Sequence, residues 1–160
     1  HLFGCTIEEL ARKRGLKWYK MSAYTFEHEG IVKLPIVLTT VIGQHSHEMV
    51  YGLIDTGCSD TCISEELAQK MNLTVTGVDS YTGADTTVKC KKYLVAIYID
   101  RDIDCGTLEV GTFKKQGRPE DVLIGMDILN KCDFAITNSN GNTKITIEMP
   151  SKRNLDFTKE

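Results

Sequence analysis

Apolar and polar positions along the 160-residue chain fall into short runs separated by glycine- and asparagine-bearing turns. That is the pattern of a mostly β domain with short helices. From Ile31 to Ile42 the chain is apolar and β-branched, and Pro35 within this run predicts an edge strand or a bulge, because proline cannot donate to a ladder. Gly43-Gln44-His45-Ser46 turns the chain into Glu48 to Ile54, so the two runs predict a hairpin. A loop at Asp55 and a strand-like segment from Asp60 to Ser64 follow. Ser64-Glu65-Glu66 then caps a predicted helix from Glu65 to Met71.

Val78 to Ile99 is long and strand-rich, broken only from Tyr81 to Asp85, and predicts a two-armed hairpin with a small-residue tip. Its far arm, Tyr93 to Ile99, alternates weakly and predicts burial. A strand follows from Thr107 to Phe113, then a loop at Gly117-Arg118-Pro119. The apolar run Asp121-Val-Leu-Ile ends at Gly125 and leads into a short helix from about Met126 to Lys131. Phe134 to Thr137 and Thr143 to Met149 flank Asn138-Ser-Asn-Gly-Asn, a hairpin turn.

Ahead of these strands, Thr6-Ile7-Glu8-Glu9 has the form of a capping box for a helix ending near Gly15. Residues 16–30 hold Trp18, Tyr19, Tyr24 and Phe26 without a clean period and predict an extension that packs its aromatics on the domain. The expected organisation is an N-terminal helix and extension at 1–30, one domain at 31–150 and a flexible tail at 151–160.

A net charge of -3 with no face rich in Lys and Arg argues against nucleic acid as a partner. The cluster Arg12-Lys13-Arg14 with Lys17 reads as a solvated helix end. No apolar run approaches the roughly 18 residues of a membrane span, and no secretory signal is present, so no membrane partner is expected. Six cysteines without a repeating spacing read as free thiols of a reducing, cytoplasmic compartment. His45 and His47 read as exposed loop residues, and Cys58 and Cys62 lack a matching pair, so neither a metal nor another cofactor is expected. A nucleophilic Cys58 would need a histidine base that the sequence does not supply.

Candidate chemistry centres on Met49 to Ser64, where an apolar strand delivers Asp55 into a turn at Gly57. Taken alone, an acid at a strand end is most often satisfied by backbone amides. However, Leu53-Ile54-Asp55-Thr56-Gly57 is matched downstream by Leu123-Ile124-Gly125, and two apolar strands that each end in glycine suit a close backbone crossing. Asp-Thr-Gly, a hairpin, and Leu-Ile-Gly-Met-Asp-Ile-Leu, in this order over residues 31–149, resemble the retropepsin-like (retroviral-type) aspartic proteases in their single-lobe form, including those of retrotransposons and bacteria.

The resemblance implies a closed-barrel-like fold and peptide-bond hydrolysis. Asp55 would be the catalytic carboxylate, Thr56 would hold a partner subunit's loop, and Gly57 would present its carbonyl to the substrate. Ser59 and Asp60 would line the cleft, and Thr82, Gly83 and Ala84 would form a flap tip over the bound polypeptide. Gly125, after Ile124, would let the second strand pass beneath the Asp55 loop. Cys58 departs from the Ala, Ser or Thr the family prefers there. As a weaker donor, it would alter the site and, with Cys62 nearby, make it oxidation-sensitive.

Such chemistry needs two close carboxylates sharing a proton. Asp104-Cys105-Gly106 lacks the threonine and reads as a turn, while Asp127 reads as a helix cap. The second carboxylate would therefore come from another copy of the chain in a homodimer. The terminal hairpin, Phe134 to Met149, is the expected interface. The alternative is a dimeric peptide-binding or scaffold domain of the same fold that has lost turnover.

Overall fold

Strands β2 (Ile36–Ile42) and β3 (His47–Ile54) form the predicted hairpin, Ile36 facing Leu53 and Ile42 facing His47. A computed structural model describes residues 23–82 and 87–159, with no side-chain description for Tyr81 and Thr82. The capping-box helix expected after Thr6 lies outside these residues. Strand β2 is not an edge: it pairs with β3 on one side and with β6 (Thr87–Ile99) on the other. Pro35 is compatible with this because it precedes the first strand residue, offering only its carbonyl, which accepts Ile54 N–H at 3.0 Å.

That second pairing closes a ring. The remaining members are β8 (Val122–Ile124), β4 (Cys62–Ser64) and β7 (Ile103–Phe113), giving the order β2, β3, β8, β4, β7, β6 and back to β2, while β5 (Val75–Thr82) hangs from β6 outside the circuit. The chain is thus mostly β with a closed six-strand barrel. Closure buries the edges that an open sheet would expose.

Inward positions alternate along each strand and fill the barrel with β-branched side chains. Val37, Val41, Ile63, Val95, Ile97, Ile99, Val110, Val122 and Ile124 are all nearly inaccessible to solvent. The arm Tyr93 to Ile99 is not buried on both faces as expected: Tyr93, Val95, Ile97 and Ile99 point inward, whereas Leu94 is 47% exposed. Its outward residues are apolar, which hid the period-two signal.

Two stretches differ more sharply from expectation. Asp104-Cys105-Gly106 is no turn but lies within β7, where the register against β6 shifts between Ala96 and Tyr98. Gly106 has φ of +86°, which only glycine adopts without strain, and its N–H is received by Asp104 Oδ1 at 2.8 Å. The extension expected at 16–30 contains strand β1 (Ala23–His28), paired with β10 (Thr143–Glu148), which pairs in turn with β9 (Asp133–Thr137). Tyr24 and Phe26 take the inward side of this strand and pack on the core, as their aromatic character suggested.

Helix α1 (Glu65–Lys70) begins as its capping sequence requires, with Leu67 N–H donating to Ser64 Oγ at 3.0 Å. Ser64 also anchors the strand end, donating through its hydroxyl to Asp121 Oδ1 at 2.6 Å. Helix α2 (Met126–Leu129) is shorter than predicted, with Gly125 at its N-cap position. The tail expected to fray is held at its root by Asp133, which accepts from the Ser151 hydroxyl and the Arg153 N–H at 2.6 Å each.

Candidate active site

Parallel pairing of β3 with β8, Gly52 opposite Val122 and Ile54 opposite Ile124, sets the apolar floor beneath Asp55. The ladder extends one step further, Asp55 N–H reaching Ile124 O at 3.0 Å, and there the chain leaves the sheet. The loop folds back on itself: Cys58 N–H donates to Asp55 O at 3.2 Å, and Gly57 N–H donates to Asp55 Oδ1 at 3.0 Å. Asp55 is half-buried, while Thr56, Gly57, Ser59 and Asp60 are exposed. A carboxylate on the barrel rim therefore has one oxygen oriented by a backbone amide.

The loop is pinned to the chain that crosses under it. Met126 N–H donates to Cys58 O at 2.8 Å and Asp127 N–H to Ser59 O at 3.0 Å. Gly125 makes this possible, since a Cβ there would lie 2.8 Å from the Asp60 carbonyl carbon and 2.9 Å from the Cys58 oxygen. Its φ of -89° is ordinary, so close approach alone requires glycine. This is the backbone crossing that the paired motifs predicted.

One member of the arrangement was not anticipated. Thr61, 1% exposed, donates to Asp127 Oδ1 through both its N–H (3.0 Å) and its hydroxyl (2.6 Å), and that hydroxyl accepts Gly125 N–H at 3.0 Å. Asp127 does serve the start of α2 as expected, its carboxylate receiving Ile128 N–H at 2.9 Å, and the same oxygen also ties the loop's exit to that helix. The only sequence signal was the acid two residues after Gly125. Thr61 reads merely as a strand residue until the fold brings it to Asp127.

Cys58 does not hydrogen-bond Asp55 through its side chain; its thiol points to Asp60 O at 2.9 Å. Ser59 donates to the Asp60 carboxylate at 2.9 Å. Thr82 ends β5, and Gly83 and Ala84 lie outside the described residues. Among those residues no three His, Cys, Asp or Glu side chains converge to hold a metal ion. None of their helices is long and apolar enough to cross a membrane.

Residues 39–131, more than half of the chain, match the family described as gag-polyprotein putative aspartyl protease. The chain belongs to that family. The match spans both limbs of the crossing, Asp55 and Gly125. Among solved structures, the chain is similar to a retropepsin-like aspartic protease from Rickettsia conorii, at 16% identity and a TM-score of 0.47 over 82% of this chain and 99% of that one. It is also similar to the retroviral protease-like domain of Ddi1 from Leishmania major, at 15% identity and a TM-score of 0.45 over 78% and 100% of the two chains. No curated protein matches this sequence.

Proposed function

We propose that the protein is an aspartic endopeptidase whose active site forms when two copies bring their Asp55 carboxylates together across a two-fold axis. The observation that carries this reading is a half-buried Asp55, oriented by Gly57 N–H, on a loop locked over Gly125, in a chain of an aspartyl protease family. Among the described residues, the other acids at this place are engaged: Asp127 by Thr61 and Ile128, Asp60 by Ser59. A second Asp55 is the remaining source of a matched carboxylate.

Two carboxylates about 3 Å apart cannot both ionise, so the pair holds one proton between them. The ionised member takes a proton from a water, which attacks the scissile carbonyl, and the protonated member donates to the carbonyl oxygen. General acid–base help of this kind is worth roughly 10²–10⁴-fold. In this reading the exposed Thr56 hydroxyl holds the partner's loop and Gly57 presents its carbonyl to an extended polypeptide. Ser59 and Asp60 flank that polypeptide, and the β5–β6 hairpin with Thr82, Gly83 and Ala84 covers it.

The test is a peptide-library digest by wild type and by Asp55→Asn at mildly acidic and neutral pH. Cleavage is expected from the wild type only, and its specific rate should fall on dilution through the dimer dissociation range. Cleavage that persists in Asp55→Asn overturns the reading, as does binding without cleavage by the wild type.

A further inference from the structure

Three cysteines, Cys58, Cys62 and Cys90, lie on or near the Asp55 loop. Cys58 and Cys62, both half-buried, point at one acceptor, the Asp60 carbonyl oxygen, at 2.9 and 3.4 Å. Across the sheet Gly111, which has no side chain, leaves room for two sulfurs: a Cβ there would lie 3.1 Å from Cys90 Sγ and 3.9 Å from Cys62 Sγ. The Cys90 sulfur is occupied, accepting Thr112 N–H at 3.1 Å. Among the described residues no backbone N–H donates to the Cys58 or Cys62 sulfur, and the two thiols share the Asp60 carbonyl.

We propose that Cys58 and Cys62 are a dithiol that peroxide converts to a disulfide, and that this bridge disables the loop carrying Asp55. The regulatory half of the proposal rests on the proteolytic reading above. Burial, with the neighbouring Cys58 thiol adding to it, pushes the Cys62 thiol up to about 12, which keeps it from reacting first. Cys58 is accordingly the site of attack. It releases its proton, its sulfur takes one peroxide oxygen, the O–O bond breaks, and a sulfenic acid forms as the other oxygen leaves as water. The Cys62 sulfur then attacks the Cys58 sulfur. The S–S bond forms, the S–O bond breaks, and the hydroxyl departs with the Cys62 proton as a second water.

Bridging draws the two Cβ atoms to about 3.8 Å and removes both thiol donors from the Asp60 carbonyl. The same short segment supplies the Cys58 and Ser59 carbonyls that bind Met126 and Asp127 N–H. The strain therefore falls on the contacts that position Asp55, and a displacement of about 1 Å is enough for a rate loss on the order of 10²-fold.

The experiment treats the whole chain with hydrogen peroxide, blocks remaining thiols, and digests with a protease that cleaves before aspartate. Cutting before Asp60 puts Cys58 and Cys62 on separate fragments, so the two stay joined only through the bridge. Expected are a linked pair of fragments that dithiothreitol separates, loss of two hydrogens per chain, and the same link in Cys90→Ala. In Cys62→Ser, one added oxygen on Cys58 should replace the link. A link from Cys62 to Cys90, or no link, overturns the thiol assignment. Peptide cleavage should fall about tenfold or more on oxidation and return on reduction; a bridged protein that cleaves at full rate overturns the regulatory half. Protein that never cleaves in its reduced form defeats the proteolytic reading instead, and the fragment map still decides the thiol assignment.

Discussion

Replacing Gly125 by alanine tests the crossing that positions Asp55. The added methyl would sit 2.8 Å from the Asp60 carbonyl carbon, 2.9 Å from Cys58 O and 3.0 Å from Asp60 O, all backbone atoms. None is the end of a flexible side chain that could swing aside. The loop cannot drift away cheaply either, because Met126 and Asp127 N–H hold it at 2.8 and 3.0 Å. Overpacking of this kind costs about 1–3 kcal/mol, and at this chain length each kcal/mol lowers Tm by roughly 2–4 °C. Backbone strain adds nothing, since φ at Gly125 is -89°. Gly77→Ala is the matched control: its Cβ would meet Lys92 Cβ at 3.7 Å, an ordinary contact. Urea denaturation of both variants should show Gly125→Ala destabilised by that amount and Gly77→Ala within about 0.5 kcal/mol of wild type or slightly stabilised. A Gly125→Ala protein as stable as wild type refutes the close approach, and with it the reason the loop is fixed.

Other expectations follow from neighbouring contacts. Thr61→Val keeps the shape but leaves Gly125 N–H without its hydroxyl acceptor, which should lower the unfolding free energy by about 1–3 kcal/mol in denaturant titration. Ser64→Ala removes the cap on Leu67 N–H and the bond to Asp121; a loss of about 1–2 kcal/mol is expected, and full retention would deny the cap. Hydrogen bonds from the Ser151 hydroxyl and then from Lys152 N–H hold the Asp133 carboxyl below its usual range. Because the folded value is depressed, the contribution is fully present above the unfolded value near about 4 and is lost as pH falls through the folded value. The protection of the amides at residues 151–153, measured as exchange relative to the unprotected chain at the same pH, should therefore fall on acidification, and Asp133→Asn should abolish that pH dependence.

Local pattern foretold the β2–β3 hairpin, where two apolar, β-rich runs flank a glycine-bearing turn, and foretold α1 through its Ser64 cap. It failed at Leu94, whose outward apolar side chain blurs the period, and at Gly106, whose positive φ serves a bulge inside β7 rather than a turn. Strand β1 was missed because a six-residue strand needs a partner to be recognised, and its partner, β10, lies at the other end of the chain.

What the sequence by itself determined is the pair of short motifs around Asp55 and Gly125, because an acid in a glycine turn and a glycine after an apolar run are local necessities of a tight crossing. What only the tertiary structure decided is how those motifs are held: Thr61 on Asp127, the Cys58 and Ser59 carbonyls on α2, and Cys58 beside Cys62. Those contacts join residues more than sixty positions apart, as with Thr61 and Asp127, or depend on which way a loop turns. Neither is set by any stretch of chain until the barrel closes.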